Sequence, residues 1–195
     1  MFSTSQSETA FNLLTEVGLH ADELRGSLKL LSDTESRYIR DLKINVSNTL
    51  GSENLSRKEA YLIGVAVAVN ERNAVLKNAF ESLAQDNGAT QAEIAEAIAC
   101  TSLLNANNVL YRFRHFTEKE SYESLPAGIK MNIMGNPVLG KEFFELLSLV
   151  ISALNGCARC VKAHEEGLVK QGTAPQRIWD AVRLGSVLKS LVVLL

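Results

Sequence analysis

Three prolines, Pro126, Pro137 and Pro175, are all that interrupt a chain of 195 residues, and their scarcity constrains the fold more than any other feature. Proline breaks helix interiors and marks the ends of strands. A chain nearly free of it, with long stretches of Ala, Leu, Val and Glu, is suited to helices throughout. No segment shows the period-two apolar alternation between turn residues that a half-buried strand requires. The expected class is therefore all-α. Helices are expected over 8–31, 34–49, 57–70, 74–86, 91–113, 142–154, 157–171 and 175–195, with breaks at Gly51-Ser52, Asn87-Gly88, 126–140, Asn155-Gly156 and Gly172-Thr173.

The plan of 57–113 returns in 141–195: an apolar helix ending at Asn70 or Asn155, a second ending near Gly88 or Gly172, then a long third. A period of about 85 residues exceeds that of solenoid repeats, so a bundle of two degenerate halves is favoured over an open array. The first half carries Arg72 and Val75 where the second carries Cys157 and Cys160.

A hydrophobic fraction of 46%, 22% charged residues and a net charge of -2 exclude a disordered chain and give no reason to expect nucleic acid as a partner. The length suits one domain, taken as 1–195. Residues 1–16 are rich in Ser, Thr and Glu with no basic residue before an apolar run, unlike a secretory signal, so the cytoplasm is the expected compartment. The most apolar stretch, 178–195, contains Asp180, Arg183 and Lys189 and reads as a buried amphipathic helix, not a membrane span.

Cys157-Ala158-Arg159-Cys160, with His164 four residues on, places two thiols and an imidazole on one helical face. A thiol pair three residues apart lies within disulfide reach. Placed after the Asn155-Gly156 break, the cysteines fall in the first turn of a helix, with Asn155 or Gly156 near its N-cap. Helix-terminal N–H groups, with Arg159 and Lys162 nearby, would favour a thiolate. His164 could take or return its proton. Redox catalysis is the leading reading of this spacing, zinc binding the competitor and inert thiols the remainder. Glu145 lies twelve residues before Cys157, and spacing alone does not bring it to the thiols. Cys100, in an apolar run, reads as a small buried hydrophobe. His20 reads as a surface or packing residue. His115 lies in the basic aromatic cluster 112–116, read as helix-end capping and salt bridges.

Glu145, then Asn155-Gly156-Cys157-Ala158-Arg159-Cys160 and His164-Glu165, together with Asn107-Asn108-Val109-Leu110-Tyr111-Arg112 and Met131-Asn132-Ile133-Met134-Gly135-Asn136-Pro137, resemble the alkyl hydroperoxidase D family within the carboxymuconolactone decarboxylase-like superfamily. The likeness runs from about residue 41 to the C-terminus. It implies an all-helical fold, assembly into homotrimers or larger homo-oligomers, no cofactor, and a thiol-dependent antioxidant activity. Such proteins reduce organic hydroperoxides weakly and pass electrons from a dihydrolipoyl group to a partner peroxiredoxin. Carried onto this chain, Cys160 is the attacking thiol, Cys157 resolves it to a disulfide, and Glu145 and His164 relay protons. Some members carry histidine where this chain has Arg159, so the implied relay rests on Glu145 and His164 alone. Two other expectations stand beside this one: lactone or decarboxylation chemistry, as elsewhere in the superfamily, and a zinc-stabilised interaction module.

Overall fold

Among the described residues, ten helices run in the order α1 (Gln6–Glu16), α2 (Gly26–Asp33), α3 (Arg37–Leu50), α4 (Arg57–Asn70), α5 (Ala74–Asp86), α6 (Gln91–Thr117), α7 (Glu120–Glu123), α8 (Lys141–Leu154), α9 (Ala158–Lys170) and α10 (Pro175–Val192). The computed structural model describes residues 6–195, and no strand occurs among them. Residues 1–5, part of the segment read as lacking a secretory signal, lie outside the described residues.

Two helices are apolar nearly all the way round, and the others are arranged on them. In α4 every residue from Ala60 to Ala68 is buried. In α8 Phe143, Phe144 and all of 146–152 are buried. Helices without a polar face belong at the centre of a bundle, and α4 and α8 pack on each other there. The long helices α6 and α10 each contact both of them, while α5 closes on α4 and α9 on α8. The layer α1–α3 joins through α3 against α10. Each fully buried Leu or Phe in this core contributes about 1.5–3 kcal/mol.

Sequence-coded caps set the helix starts. Ser56 and Glu59 form a reciprocal capping box at α4, as do Thr90 and Glu93 at α6, and Asn73 caps α5 through its side chain. Such boxes satisfy helix-end N–H groups that have no intrahelical partner. Arg177 near the start of α10 bridges Glu59 of α4 (2.6 Å) and Glu142 of α8 (2.9 Å). Burial opposes the Glu59 charge, yet the Arg177 and Ser56 hydrogen bonds outweigh it and hold this carboxyl below its usual range. Asp180, which interrupts the apolar C-terminal stretch, is buried and accepts from Ser52 and Asn54, both at 2.7 Å.

The expected single helix over 8–31 is broken. Val17 and Leu19 are buried like residues of α1, but Gly18 between them takes φ 76°, a left-handed geometry that ends a helix. A 3-10 turn at Ala21–Glu23 and the separate α2 follow. At its C-terminus α6 runs four residues past the expected end. The break expected over 126–140 holds a further 3-10 turn at Asn132–Met134. The helix starts place α8, α9 and α10 84 residues after α4, α5 and α6. In that register Cys157 corresponds to Asn73 and Cys160 to Leu76, one position on from Arg72 and Val75. Among the described residues, no helix is long and apolar enough to cross a membrane.

Candidate active site

Asn155-Gly156-Cys157 turns the chain from α8 into α9. Asn155 ends α8, and Gly156 takes φ 67°, a conformation costly for residues with a Cβ. The amide of Gly156 then donates to Ala153 O (3.1 Å) and that of Cys157 to Ser152 O (3.0 Å), the paired bonds of a Schellman ending. This leaves Cys157 as the N-cap of α9, its sulfur accepting from Cys160 N at 3.4 Å. The N-cap is thus Cys157 itself, not Asn155 or Gly156. A chain of amides fixes the turn from behind: Asn155 donates to Asn108 (2.9 Å), Asn70 to Asn155 (3.1 Å), and Arg112 to Asn155 O (2.6 Å).

Cys157 and Cys160 are joined as a disulfide, with Cα atoms 5.3 Å apart. The two sulfurs differ in access. Cys157 has no exposed surface, while Cys160 lines a cavity of about 300 Å³ shared with His164, Ala163, Leu104 and Met134. His164, one turn after Cys160, meets Glu145 of α8 with Nδ1 3.0 Å from Oε1. The antiparallel return of α9 against α8 brings this carboxylate within reach, which spacing alone did not reveal. Because the carboxylate can only accept, Nδ1 donates and the lone pair falls on Nε2.

Arg159 lines the same cavity as Cys160 but is engaged by other partners. Its guanidinium lies over the Tyr111 ring, 5.4 Å from the centroid, and its Nη1 binds both oxygens of Glu123 in α7 at 2.8 and 2.6 Å. The charge expected to favour a thiolate is therefore matched by a carboxylate. Lys162 is exposed. The helix N-terminus remains as the stabilising element.

Cys100 is fully buried with Sγ 3.5 Å from Ser148 Oγ, and burial pushes its thiol up to about 12. It is a packing residue, as its apolar run suggested. His20 and His115 are exposed and away from the cavity.

Two residues of the site had no expected role from the sequence: Gly167, and Asn107, which entered only within the 107–112 stretch. A Cβ built on Gly167 would lie 2.7 Å from Glu145 Oε1, so a bare helix surface here admits the carboxylate beside His164. A mid-helix glycine three residues after His164 is the one local signal the sequence carries for it. Asn107 of α6 lines the cavity and is buried, yet its Oδ1 has no hydrogen-bond partner. Such a group costs about 1–3 kcal/mol. Its spacing from Leu104 and Tyr111 places all three on one helix face.

Fold and site together define an all-α protein built around a helix-terminal Cys-X-X-Cys disulfide with a carboxylate–imidazole pair beside it. Residues 122–189 match the carboxymuconolactone decarboxylase family. The chain is 37% identical over 169 residues to Alkyl hydroperoxide reductase AhpD of Beijerinckia indica subsp. indica, covering 87% of this chain and 93% of the relative. It is 36% identical to the protein of that name from Azorhizobium caulinodans over the same shares. With the one from Brucella canis it is 35% identical over 159 residues, 81% of this chain and 90% of the relative. The chain belongs to the AhpD family, within the carboxymuconolactone decarboxylase family.

Proposed function

We propose that this protein is a thiol-dependent alkyl hydroperoxide reductase that cycles Cys157 and Cys160 between dithiol and disulfide. The observation that carries the reading is the asymmetry of the pair. Cys160 faces a largely apolar cavity next to a histidine oriented by a carboxylate, while Cys157 is enclosed at a helix N-terminus.

In the dithiol form, His164 Nε2 takes the Cys160 proton, with Glu145 stabilising the imidazolium through Nδ1. The thiolate attacks the terminal peroxide oxygen. An S–O bond forms, the O–O bond breaks, and the alkoxide leaves as an alcohol with the proton held by His164. Cys160 is now a sulfenic acid. The Cys157 sulfur attacks it, water departs, and the disulfide is formed. An external dithiol of the dihydrolipoyl type resets the pair by attacking Cys160, the reachable sulfur. Cys157 then leaves as a thiolate stabilised by the Cys160 N–H, and a stabilised leaving thiolate speeds exchange. In the second mode the same dithiol reduces the disulfide of a peroxiredoxin, a partner that family membership favours. The protein is further read as cytoplasmic and as a homotrimer or larger. Val109, Phe113 and Phe116, exposed along one side of α6, offer apolar area for such assembly.

The test is peroxide consumption driven by dihydrolipoamide, with and without an added peroxiredoxin. Cys160→Ser is expected to abolish both rates, and a variant that retains either overturns the mechanism.

A further inference from the structure

The cycle above gives no role to Asn107, a polar group of the cavity. Asn107 is 5% exposed, its Oδ1 has no partner, and its Nδ2 donates to the thioether sulfur of Met131 at 3.2 Å. A thioether is a weak acceptor. The adjacent Asn108 is the contrast: it donates to Ser152 at 3.0 Å and accepts from Asn155 at 2.9 Å. Buried amides in native proteins are ordinarily satisfied in this way. Asn107 alone in this pair keeps spare capacity to donate and to accept, and it lines the same cavity as Cys160. Around it Leu104, Met131, Met134 and Ala163 form the apolar part of the cavity, with Tyr111, Arg159 and His164 as its other polar members. A mostly apolar pocket with a few polar groups around the reactive atom matches a ligand with an apolar body and a small polar head.

We propose that the Asn107 carboxamide binds the peroxide group of an organic hydroperoxide, whose apolar part lies between Leu104, Met131 and Met134. The assignment rests on the peroxidase reading above and names the residue that selects its substrate. The carbonyl accepts the hydroperoxide O–H and orients the terminal oxygen toward Cys160. The amide N–H, exchanging the Met131 sulfur for oxygen, donates to the inner peroxide oxygen. As the Cys160 thiolate forms its bond to the terminal oxygen and the O–O bond breaks, negative charge collects on that inner oxygen. A donor already in place there stabilises the alkoxide until the His164 proton reaches it.

The experiment compares wild type, Asn107→Leu and Asn107→Ala in two half-reactions. The first is oxidation of the dithiol form by cumene hydroperoxide. The second is reduction of the disulfide form by dihydrolipoamide without peroxide. Both variants are expected to lose about 10–100-fold in the second-order rate with cumene hydroperoxide, while the dihydrolipoamide rate stays within about twofold. Asn107→Ala cannot overfill the cavity, so the same split in both variants identifies the lost hydrogen bonds. An unchanged peroxide rate, or an equal fall in both half-reactions, overturns the assignment. A wild type inert toward cumene hydroperoxide overturns the peroxidase reading itself, and is recognisable because no variant is needed to see it.

Discussion

At the junction of α4 and α5, Arg72 takes φ 59° and Asn73 caps the next helix through its side chain. At the junction of α8 and α9, Gly156 takes φ 67° and Cys157 caps through its sulfur. Both turns close with the same pair of backbone bonds, from Arg72 to Val69 and Asn73 to Ala68 in one, from Gly156 to Ala153 and Cys157 to Ser152 in the other. In the 84-residue register the carboxylate–imidazole pair Glu145 and His164 falls on Tyr61 and Phe80, whose rings lie 6.4 Å apart. One junction therefore uses the helix-to-helix space for aromatic packing, and the other for a hydrogen-bonded carboxylate–imidazole pair. Cavity size does not separate them. The α4–α5 junction borders an opening of about 360 Å³ lined by Ala68, Val69 and Ile98, with neither thiol nor imidazole. A helix N-terminus supplies a place for an anion, and the side chains around it decide whether chemistry follows.

The strongest way to break this comparison is to move the cysteines. In a background of Cys157→Ser and Cys160→Ser, the further changes Asn73→Cys and Leu76→Cys put a thiol pair on the other capping turn. The new pair is expected to oxidise to a disulfide, shown by mass spectrometry. Peroxide consumption stays at least about a thousandfold below wild type, because no base serves the thiols there. Recovery to within tenfold would mean that the capping turn alone suffices. The reverse copy is His164→Phe, which places at the active junction the residue that the other one uses at Phe80. It is expected to cost about 10²–10³ in the peroxide step. A variant within a few-fold of wild type would remove His164 from the relay.

How far the two junctions could be read from sequence follows from how local each determinant is. The bounds of α4 and α5 were legible because Ser56, Glu59 and Asn73 cap them and Gly88 follows the second. Cys157, Cys160 and His164 were legible because spacings of three and four settle a helical face without tertiary information. Glu145 came from the family resemblance, since its approach depends on how α9 folds back on α8. Asn107 and Gly167 act across helix contacts: a family-like stretch and a mid-helix glycine mark the positions, while the orphaned amide and the room for a carboxylate emerge only when the helices pack. The same limit hid the Arg159–Glu123 pair, which joins residues 36 positions apart. In the N-terminal region the apolar pattern continues through Leu13, Leu14, Val17 and Leu19, so periodicity read one helix where Gly18 ends it.

Gly167 sharpens the comparison more gently, because Leu83 occupies its position at the other junction. Gly167→Ala adds a Cβ that meets Glu145 Oε1 at 2.7 Å. The carboxylate has to turn aside, and the expected fall in peroxide turnover is about tenfold, short of full loss of the base. Alanine also favours a helix interior over glycine by roughly 0.5–1 kcal/mol. The melting temperature is therefore expected to hold or rise while activity falls. A parallel loss of both would show that the glycine serves packing alone.

The smallest effect is expected at Arg159, where the other junction carries Val75. A cation inside a Cys-X-X-Cys invites the idea that it lowers a thiol pKa. Here the guanidinium is spent on Glu123, with side-chain exposures of 46% and 39%, and on the face of Tyr111. An exposed ion pair of this kind is worth about 0.2–1 kcal/mol. The Arg159 bonds to Glu123 tie α7 to α9 beside the cavity. Arg159→Ala is thus expected to lower stability by less than about 1 kcal/mol in urea titrations. Single-turnover oxidation by hydroperoxide should change by less than about twofold. A tenfold loss, together with a rise in the pH at which the dithiol is alkylated, would show that Arg159 does act on the thiolate. The helix N-terminus and the Glu145–His164 pair would then not account for the difference between the junctions by themselves.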